Sequence, residues 1–288
     1  ISAGNEAEPA GTDGMGNTVD AVGQTPSEPA YIAGESASLG RVVAVGSFYV
    51  DPADPNQERI ISDFSNRAGD SAKNYYLMAP GDGIVTTGLD DDVMFPGDLT
   101  NDADSEGDYY TVFGTSFSAP YVAGALALLL DAFPNLKQNP ELALQILLDT
   151  ADDYVDPAPD AITGQAAGVG TDSVSGVGIM NLAEAFRPQG QQTLSLSTEK
   201  VSLGEALAPT GGAFGDWASN SGAFNGLVFQ DKYDRGFRLD ADATARRLPN
   251  SLIASRIVDM NTRADWAASQ SRAVAIGDMS LAWFTPRV

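Results

Sequence analysis

The sequence predicts an α/β protein, and three of its segments carry that prediction. Residues 41–50 are mostly apolar and rich in β-branched side chains, which is typical of a strand buried in a parallel sheet. Residues 117–132 are apolar and rich in good helix formers, and Pro120 suits the first turn of a helix. Residues 139–150 place several leucines on one face of a second helix. A buried parallel strand combined with apolar helices is the pattern expected of an α/β fold.

Shorter elements are expected between these three segments. Residues 75–78 and 83–87 predict strands on either side of the turn Ala79-Pro80-Gly81, and residues 109–113 lead into the first long helix. Residues 182–186 predict a short final helix. Four segments rich in polar, Gly, Pro or acidic residues are expected to be loops, namely 7–40, 51–60, 88–108 and 151–174.

The chain changes character after residue 190. Residues 193–197 and 200–203 alternate between polar and apolar side chains, as strands do. Residues 227–239 predict a hairpin that turns at Asp234-Arg235-Gly236, and residues 279–284 predict a further strand. The last hundred or so residues are therefore expected to form a β-rich extension.

The net charge of −23 is distributed unevenly along the chain. Residues 1–186 contain 5 Lys and Arg and 29 Asp and Glu, whereas residues 187–288 contain 11 Lys and Arg and 10 Asp and Glu. Such a change in composition indicates a boundary between two regions of different kind. We therefore expect one domain over residues 1–187 and a second over residues 188–288.

The composition excludes several classes of function. An acidic chain lacks the basic surface that binding to phosphates requires, so nucleic acid is not an expected partner. The sequence contains no cysteine and no histidine, which excludes disulfides and the zinc sites that those side chains form. No run reaches the roughly 18 consecutive apolar residues of a membrane-spanning helix, so none is expected.

The segment 114–120 (GTSFSAP) places a small polar residue, Ser116, directly before the apolar helix. A serine at a helix N-terminus lies among free backbone N–H groups, where the helix dipole favours negative charge. A nucleophilic serine that attacks a carbonyl needs such surroundings, because negative charge develops on the carbonyl oxygen. The alternative is a Ser or Thr N-cap on a buried helix, with no chemical role.

Five segments, in the same order along the chain, resemble segments of the subtilisin-like serine proteases. They are residues 2–6 (SAGNE), 41–46 (RVVAVG), 78–81 (MAPG), 114–124 (GTSFSAPYVAG) and 176–181 (GVGIMN). The resemblance covers residues 1–187. It implies that this part is the C-terminal part of a subtilisin-like parallel-sheet sandwich, followed by the β-rich extension.

The resemblance also implies roles for particular residues. Ser116 corresponds to the nucleophile, and the side-chain amide of Asn5, together with the backbone N–H of Ser116, would donate to the developing oxyanion. Ser2, Ala3 and Gly4 would form one wall of the pocket for the residue before the scissile bond. The alternative for Asn5 is a turn asparagine that follows a glycine.

A subtilisin-like triad consists of Asp, His and Ser in that order, and this sequence has no histidine. In the family, the Asp and His segments precede the residue that corresponds to Asn5. The resemblance therefore implies a serine endopeptidase that cleaves proteins or peptides through an acyl-enzyme on Ser116, with Asp and His on an upstream part of the same precursor. Ser118 is expected to pack in the first helical turn. The alternative is a non-catalytic surface or assembly protein that retains the fold and never had the upstream part.

Acidic residues crowd two stretches, 90–92 and 98–108. They indicate either solvated loops or a structural calcium site, since subtilisin-like proteases often bind calcium for stability. The spacing from Asp102 to Glu106 begins like a calcium loop, but Phe113 stands where an EF-hand needs its last acidic ligand. No metal is required for the chemistry, and no residue is assigned to one. A calcium-binding module that works through these loops is a third alternative.

Residues 229–237 (FQDKYDRGF) resemble part of the extension that follows the protease domain in bacterial autotransporter subtilases. In those proteins the extension leads to an outer-membrane β-barrel. The resemblance therefore implies a secreted protein or one at the bacterial cell surface, and contact with a membrane only through such a barrel. The alternative is a β-rich appendage of no particular kind.

Overall fold

The computed structural model describes residues 1–51, 55–87, 109–196, 199–202, 227–239, 271–276 and 279–284. The chain divides into two compact units, of which the first contains residues 1–127 and 144–184 and the second contains residues 128–143 and 185–288. The α/β class predicted from the sequence is confirmed. The domain boundary expected near residue 187 stays a prediction.

The first unit contains a three-stranded sheet whose central strand is β3 (Ala44–Val50). Strand β5 (Tyr76–Pro80) pairs with it in parallel, and β4 (Arg59–Ile61) pairs with it antiparallel on the other side. The first five residues of β3 are buried, as expected for a strand covered on both faces. The parallel strand predicted from the sequence is confirmed, whereas β4 begins inside the segment 51–60, which was expected to be a loop.

Segments from both ends of the unit join this sheet. Ser2 forms a parallel bridge with Val45 of β3, and the N–H of Val45 donates to the carbonyl of Ile1 at 2.8 Å. On the far side, Met78 of β5 forms a parallel bridge with Ile179. The sheet thus holds the start of the chain beside β3, which fixes the segment that leads to Asn5.

The core of the first unit is built largely from small side chains. Its largest polar member is Tyr76, whose phenol lies against the backbone of Gly46, where an added Cβ would be 1.9 Å from the Tyr76 oxygen. Glycine at position 46 is therefore what allows a tyrosine to lie beneath β3. The buried cluster consists of Ala3, Ala30, Ala33, Ala44, Phe48, Ile61, Ala68, Tyr76, Met78, Ala167, Val174 and Ile179.

The described residues include four α-helices: α1 (Gly69–Ala72), α2 (Thr115–Ala132), α3 (Glu141–Asp149) and α4 (Leu182–Ala185). Both predicted long helices are confirmed, although α2 begins at Thr115 rather than near residue 117. By length and mean hydropathy (1.2) α2 could cross a membrane. One face of α2 is nevertheless buried in the protein, through Val122, Ala125 and Leu129.

Short regular elements occur in segments that were expected to be loops or single strands. They are β1 (Gly11–Thr12), β2 (Thr18–Val19), β6 (Ile84–Thr87), β7 (Tyr109–Val112), β8 (Asp156–Pro159), β9 (Ala166–Ala167), and 3₁₀ helices at Ala30–Gly34, Ser36–Ser38, Lys73–Tyr75 and Pro134–Gln138. The pairs β1–β2, β6–β7 and β8–β9 are antiparallel. The expectation of loops at 7–40 and 151–174 was therefore wrong at these points, because such short pairings leave no periodic pattern in the sequence.

The second unit contains a six-stranded sheet in the order β11-β10-β12-β13-β15-β14, with neighbouring strands antiparallel. Its strands are β10 (Thr193–Leu196), β11 (Glu199–Ser202), β12 (Leu227–Gln230), β13 (Gly236–Leu239), β14 (Ser271–Ile276) and β15 (Met279–Phe284). The predicted hairpin is confirmed as β12–β13. Its connection spans residues 231–235, a longer turn than the predicted 234–236.

A buried ion pair organises the hairpin connection. Arg235 and Asp231 are both buried, and Nη2 of the arginine lies 2.7 Å from Oδ2 of the aspartate. Arg235 also donates to the carbonyls of Ala185 and Arg187, at 2.5 and 2.8 Å. Its guanidinium lies 4.8 Å from the ring centroid of Phe133. One side chain thus connects the hairpin to the end of α4 and to the residue that follows α2.

Candidate active site

Ser116 lies in the first turn of α2, and its side chain is exposed. Gly114 fixes the start of the helix, because its N–H donates to the carbonyl of Gly81 at 2.7 Å and its carbonyl accepts from the N–H of Phe117 at 2.9 Å. Gly114 has a φ of +140°, a conformation that favours glycine. Among the described residues the N–H of Ser116 has no hydrogen-bond partner.

Asn5 lies against the residue that precedes Ser116. Its Oδ1 accepts hydrogen bonds from the backbone N–H and the hydroxyl of Thr115, both at 2.9 Å. Because a backbone N–H can only donate, these bonds establish which end of the amide faces Thr115. The other end, Nδ2, lies beside Gly114, where an added Cβ would be 3.3 Å away. Within the described part of the chain Nδ2 has no acceptor, so an amide donor stands free next to the nucleophile turn.

Thr115 connects the two segments that the sequence singled out. It is fully buried, and its hydroxyl accepts from the N–H of Gly4 at 3.2 Å while donating to Asn5. Sequence reasoning gave this residue no role, although it is part of the quoted motif. Its position between Gly114 and Ser116 could have indicated this role, because the hydroxyl of a threonine at a helix start commonly forms hydrogen bonds with nearby groups.

Ser2, Ala3 and Gly4 lie immediately before Asn5 on the segment that runs beside β3. Ser2 and Gly4 are half-buried, whereas Ala3 is fully buried in the core cluster. The carbonyl of Ala3 accepts from the N–H of Ser27 at 2.8 Å, so its backbone is held on that side as well. The contacts of Ala3 are those of a packed core residue, and the role of all three in a substrate pocket stays a prediction.

Ser118 is fully buried, as expected, and its Oγ has no hydrogen-bond partner among the described residues. Two more buried serines lie nearby, Ser47 and Ser62, with their Oγ atoms 2.8 Å apart. A Cβ on Gly81 would be 2.0 Å from the Ser118 oxygen and 2.7 Å from the Ser47 oxygen, so only glycine fits there. Of the two serines in the motif, Ser116 is the one that a substrate can reach.

Arg67 holds the turn beneath the candidate site. Its Nε and Nη2 donate to Oδ2 of Asp160 at 2.9 and 2.7 Å, and its Nη1 donates to the carbonyls of Ser62 and Ser65. Burial alone raises the pKa of Asp160, but the hydrogen bonds and the charge of Arg67 outweigh that effect and hold the pKa below its ordinary value. The pair is therefore ionised at neutral pH. Sequence reasoning missed it, because its partners are far apart in the chain.

Two aromatic residues stand at the edge of the site. The rings of Phe64 and Phe113 are tilted against each other with centroids 5.5 Å apart. Phe113 directly precedes Gly114 and is 69% exposed, which is unusual for a large apolar side chain. The pair gives the surface next to the nucleophile turn an apolar character.

The described residues contain no group of acidic side chains that could hold a metal ion. The acidic stretches 90–92 and 98–108, on which the calcium expectation depends, lie outside the described residues. Calcium therefore stays a prediction.

Comparison with known proteins gives a family match. The model of Peptidase_S8, the subtilase family, matches residues 1–168, which is more than half of the 288 residues of this chain. The matched range includes both Asn5 and Ser116.

Several solved structures are similar to parts of the chain. The Prenylagaramide maturation protease PagA is 23% identical over 64% of this chain and 47% of its own, with a TM-score of 0.35. The Patellamide maturation protease PatA is 24% identical over 52% of this chain and 44% of its own, with a TM-score of 0.33. Fervidolysin from Fervidobacterium pennivorans, a keratinolytic enzyme related to subtilisin, is 25% identical over 67% of this chain and 23% of its own, with a TM-score of 0.39. The chain spans less than half the length of each of them.

Proposed function

This chain belongs to the subtilase family, and from that premise we propose that it supplies the nucleophile, Ser116, and the oxyanion donor, Asn5, of a serine endopeptidase. The Asp and His of the triad come from an upstream segment of the same precursor. The substrates are proteins or peptides, cleaved through an acyl-enzyme on Ser116.

The observation that carries the proposal is the contact between Asn5 and Thr115. It holds the amide oxygen of Asn5 with two hydrogen bonds and leaves Nδ2 free beside Gly114. The N–H of Ser116, one residue further on, is also free among the described residues. Two donors held in place near an exposed serine are what a tetrahedral oxyanion requires. Asn5 is also solvent-exposed, so its Nδ2 lies where the oxygen of a bound substrate can reach it.

The proposed reaction is acyl transfer to water. Oγ of Ser116 attacks the scissile carbonyl carbon while the upstream histidine takes its proton, and the carbonyl oxygen becomes an oxyanion between Asn5 Nδ2 and Ser116 N–H. The C–N bond then breaks, and the histidine gives the proton to the leaving amine. Water attacks the resulting ester by the same route, which releases the acid and restores the serine.

The exposed face of α2 supports an upstream segment that covers it. The sequence has no histidine, so the general base of this mechanism must come from outside the chain. Exposed residues recur on α2 at the spacing of one helix face. They include the large apolar Tyr121 and Leu128 and several small residues, namely Ser116, Pro120, Ala123, Gly124 and Ala127. Small side chains allow a second backbone to approach closely. We propose that the segment bearing Asp and His packs along this face and so reaches Ser116 at its end.

The proposal includes a location outside the cell, either secreted or at a bacterial surface as in autotransporter subtilases. The acidic charge and the hairpin at residues 229–237 support it. Calcium is proposed as a stabilising ion in the acidic loops and takes no part in the chemistry. Fractionation of the source cells tests the location, and thermal unfolding in calcium or in EDTA tests the ion.

Labelling with a fluorophosphonate probe tests the function. The precursor, or this chain as isolated with any bound segment, is treated with the probe and the modified peptide is mapped. We expect the label on Ser116 and its loss in Ser116→Ala. Ser118→Ala is the matched control, because Ser118 belongs to the same motif but is buried, and labelling should persist in it.

The competing function is that of a non-catalytic surface or assembly protein. That function predicts a folded protein that the probe never labels, even when the upstream segment is present. Such a result, or a label that remains in Ser116→Ala, contradicts the endopeptidase proposal.

A further inference from the structure

Asn66 contacts the residues on both sides of Asn5. Its backbone N–H donates to the carbonyl of Gly4 at 3.1 Å. Its side-chain Oδ1 accepts from the N–H of Glu6 at 3.0 Å, and its Nδ2 donates to Oε2 of Glu6 at 2.9 Å. Asn66 is almost completely buried. One residue, 60 positions beyond Glu6 in the sequence, therefore holds the backbone immediately before and immediately after the proposed oxyanion donor.

Asn66 is itself held firmly. Its carbonyl accepts from the hydroxyl of Tyr76 at 2.6 Å and from the hydroxyl of Ser65 at 3.3 Å. Burial raises the pKa of Tyr76 to about 12, so this phenol remains a donor at any physiological pH. The next residue, Arg67, is anchored by its ion pair with Asp160. The group that supports Asn5 is thus part of a buried network and not of a mobile loop.

The fit between Asn66 and Gly4 is tight. Gly4 has a φ of +117°, and a Cβ there would lie 2.6 Å from Nδ2 of Asn66 and 2.4 Å from Oε2 of Glu6. A side chain at position 4 cannot be accommodated without moving Asn66, Glu6 or the segment that carries Asn5. The backbone at Asn5 is therefore defined by these contacts, while Thr115 defines the other end of its side chain.

We propose that Asn66 is a positioning residue for the oxyanion donor Asn5, an inference that rests on the proposed function. It fixes the backbone on either side of Asn5, so that Nδ2 is already in place when negative charge develops on the substrate. Donors that need no reorganisation at that moment stabilise a transition state most effectively. A misplacement of about 1 Å at a reacting centre can lower the rate by about a hundredfold.

A double-mutant cycle on the complete precursor tests this inference. We expect Asn66→Ala to lower kcat by about tenfold to a hundredfold and to leave KM nearly unchanged. Asn5→Ala should lower kcat by about 10²–10³-fold. The double variant should be no slower than Asn5→Ala alone, because the residue that Asn66 positions is then absent. Ser27→Ala is the control, since its hydroxyl packs beside Gly4 and bonds to the carbonyl of Ala3 but makes no hydrogen bond to Gly4 or Glu6.

A charge swap provides a conservative rescue. Asn66→Asp alone places two carboxylates against each other and should lower kcat. In the combined variant with Glu6→Gln, the carboxylate at position 66 accepts from the backbone N–H of residue 6, as Asn66 does, and from the new side-chain amide at position 6. Both hydrogen bonds are thus restored, and kcat should recover. Recovery separates positioning from a general loss of stability, which would persist in the combined variant.

A measurement on this chain alone keeps the inference independent of turnover. The side-chain NH₂ signals of Asn5 in a ¹⁵N spectrum should shift or broaden in Asn66→Ala and stay in place in Ser27→Ala. If the two single variants are additive in kcat, or if the Asn5 signals do not change, Asn66 is not a positioning residue. If Ser116→Ala is as active as the natural sequence, the proposed function fails instead, and the spectrum still reports on Asn66.

Discussion

Each of the two units contains a buried arginine–aspartate pair, and the two pairs are built in opposite ways. In the first unit Arg67 and Asp160 are 93 residues apart and both slightly accessible. In the second unit Arg235 and Asp231 are four residues apart and fully buried. The N···O distance is 2.7 Å in both.

The difference lies in which contact makes the long-range connection. In the first unit the ionic contact itself joins distant parts of the chain. In the second unit the ionic contact is local, and the long-range connection is made by hydrogen bonds from Arg235 to the carbonyls of Ala185 and Arg187, and by the N–H of Gln189, which donates to Asp231. A local ion pair can fix the orientation of an arginine side chain, so that its remaining N–H groups reach backbone carbonyls. Hydrogen bonds to such neutral acceptors are weaker than those to a carboxylate.

The largest effect is expected for Arg235→Met. It leaves the carboxylate of Asp231 buried without its counterion, which should lower the free energy of unfolding of the second unit by about 3–5 kcal/mol. Hydrogen exchange should rise in peptides from 185–190 and 227–239 and stay nearly unchanged in those from the first unit. Arg235→Lys is the matched control, because it keeps the charge but loses the forked geometry, and its effect should be smaller. A loss below about 1 kcal/mol for Arg235→Met means that the pair does not organise the hairpin.

A smaller effect is expected for Asp160→Asn. Arg67 loses its counterion but keeps the carbonyls of Ser62 and Ser65, so the free energy of unfolding should fall by about 1.5–3 kcal/mol at neutral pH. Urea unfolding, followed by a probe in the first unit, measures it.

Asp160→Asn also tests how the stability of the first unit depends on pH. A carboxyl with a lower pKa in the folded state stabilises the fold above its unfolded pKa of about 3.9, and this contribution is lost as the pH falls through the folded pKa. The natural sequence should therefore lose stability in acid more steeply than Asp160→Asn, and the two should converge at low pH. Parallel curves down to low pH would show that Asp160 is not the group responsible.

The smallest effect is expected for Tyr76→Phe, which removes one neutral hydrogen bond from the same network. The hydroxyl donates to the carbonyl of Asn66, and its loss should lower the free energy of unfolding by about 0.5–1.5 kcal/mol. Burial raises the pKa of Tyr76 from about 10 in the unfolded chain to about 12, so the difference should be constant from neutral pH up to about 10 and should shrink at higher pH. If Tyr76→Phe costs more than Asp160→Asn, the ion pair is not the main support of the first unit.

The features that the sequence predicted correctly are local in the chain. Helix α2, the parallel strand β3 and the hairpin β12–β13 each follow from the composition and spacing of a short segment. The buried position of Ser118 was expected from the resemblance, which places the nucleophile at Ser116 instead, and it is confirmed. The proposed roles of Ser116 and Asn5 come from the resemblance and remain to be tested by experiment.

The features that it did not predict depend on contacts between distant polar residues. Asn66 and Arg67 stand in a polar stretch that resembles any solvated turn, and their partners Glu6 and Asp160 lie 60 and 93 residues away. The residue type alone does not show whether a polar side chain is buried or exposed, so only the folded structure distinguishes the two cases. The short pair β8–β9 was missed for a similar reason, since its stability depends on what surrounds it.

Asn5 carries two different contacts on the two ends of one amide group. Deamidation, the slow chemical ageing of asparagine, would keep an oxygen in reach of Thr115 and would replace the free Nδ2 by a negatively charged oxygen beside Gly114. A stored sample would then lose the group proposed to receive the oxyanion, while both hydrogen bonds from Thr115 kept an oxygen acceptor. The activity of such a sample would decline at the rate at which one side-chain amide hydrolyses.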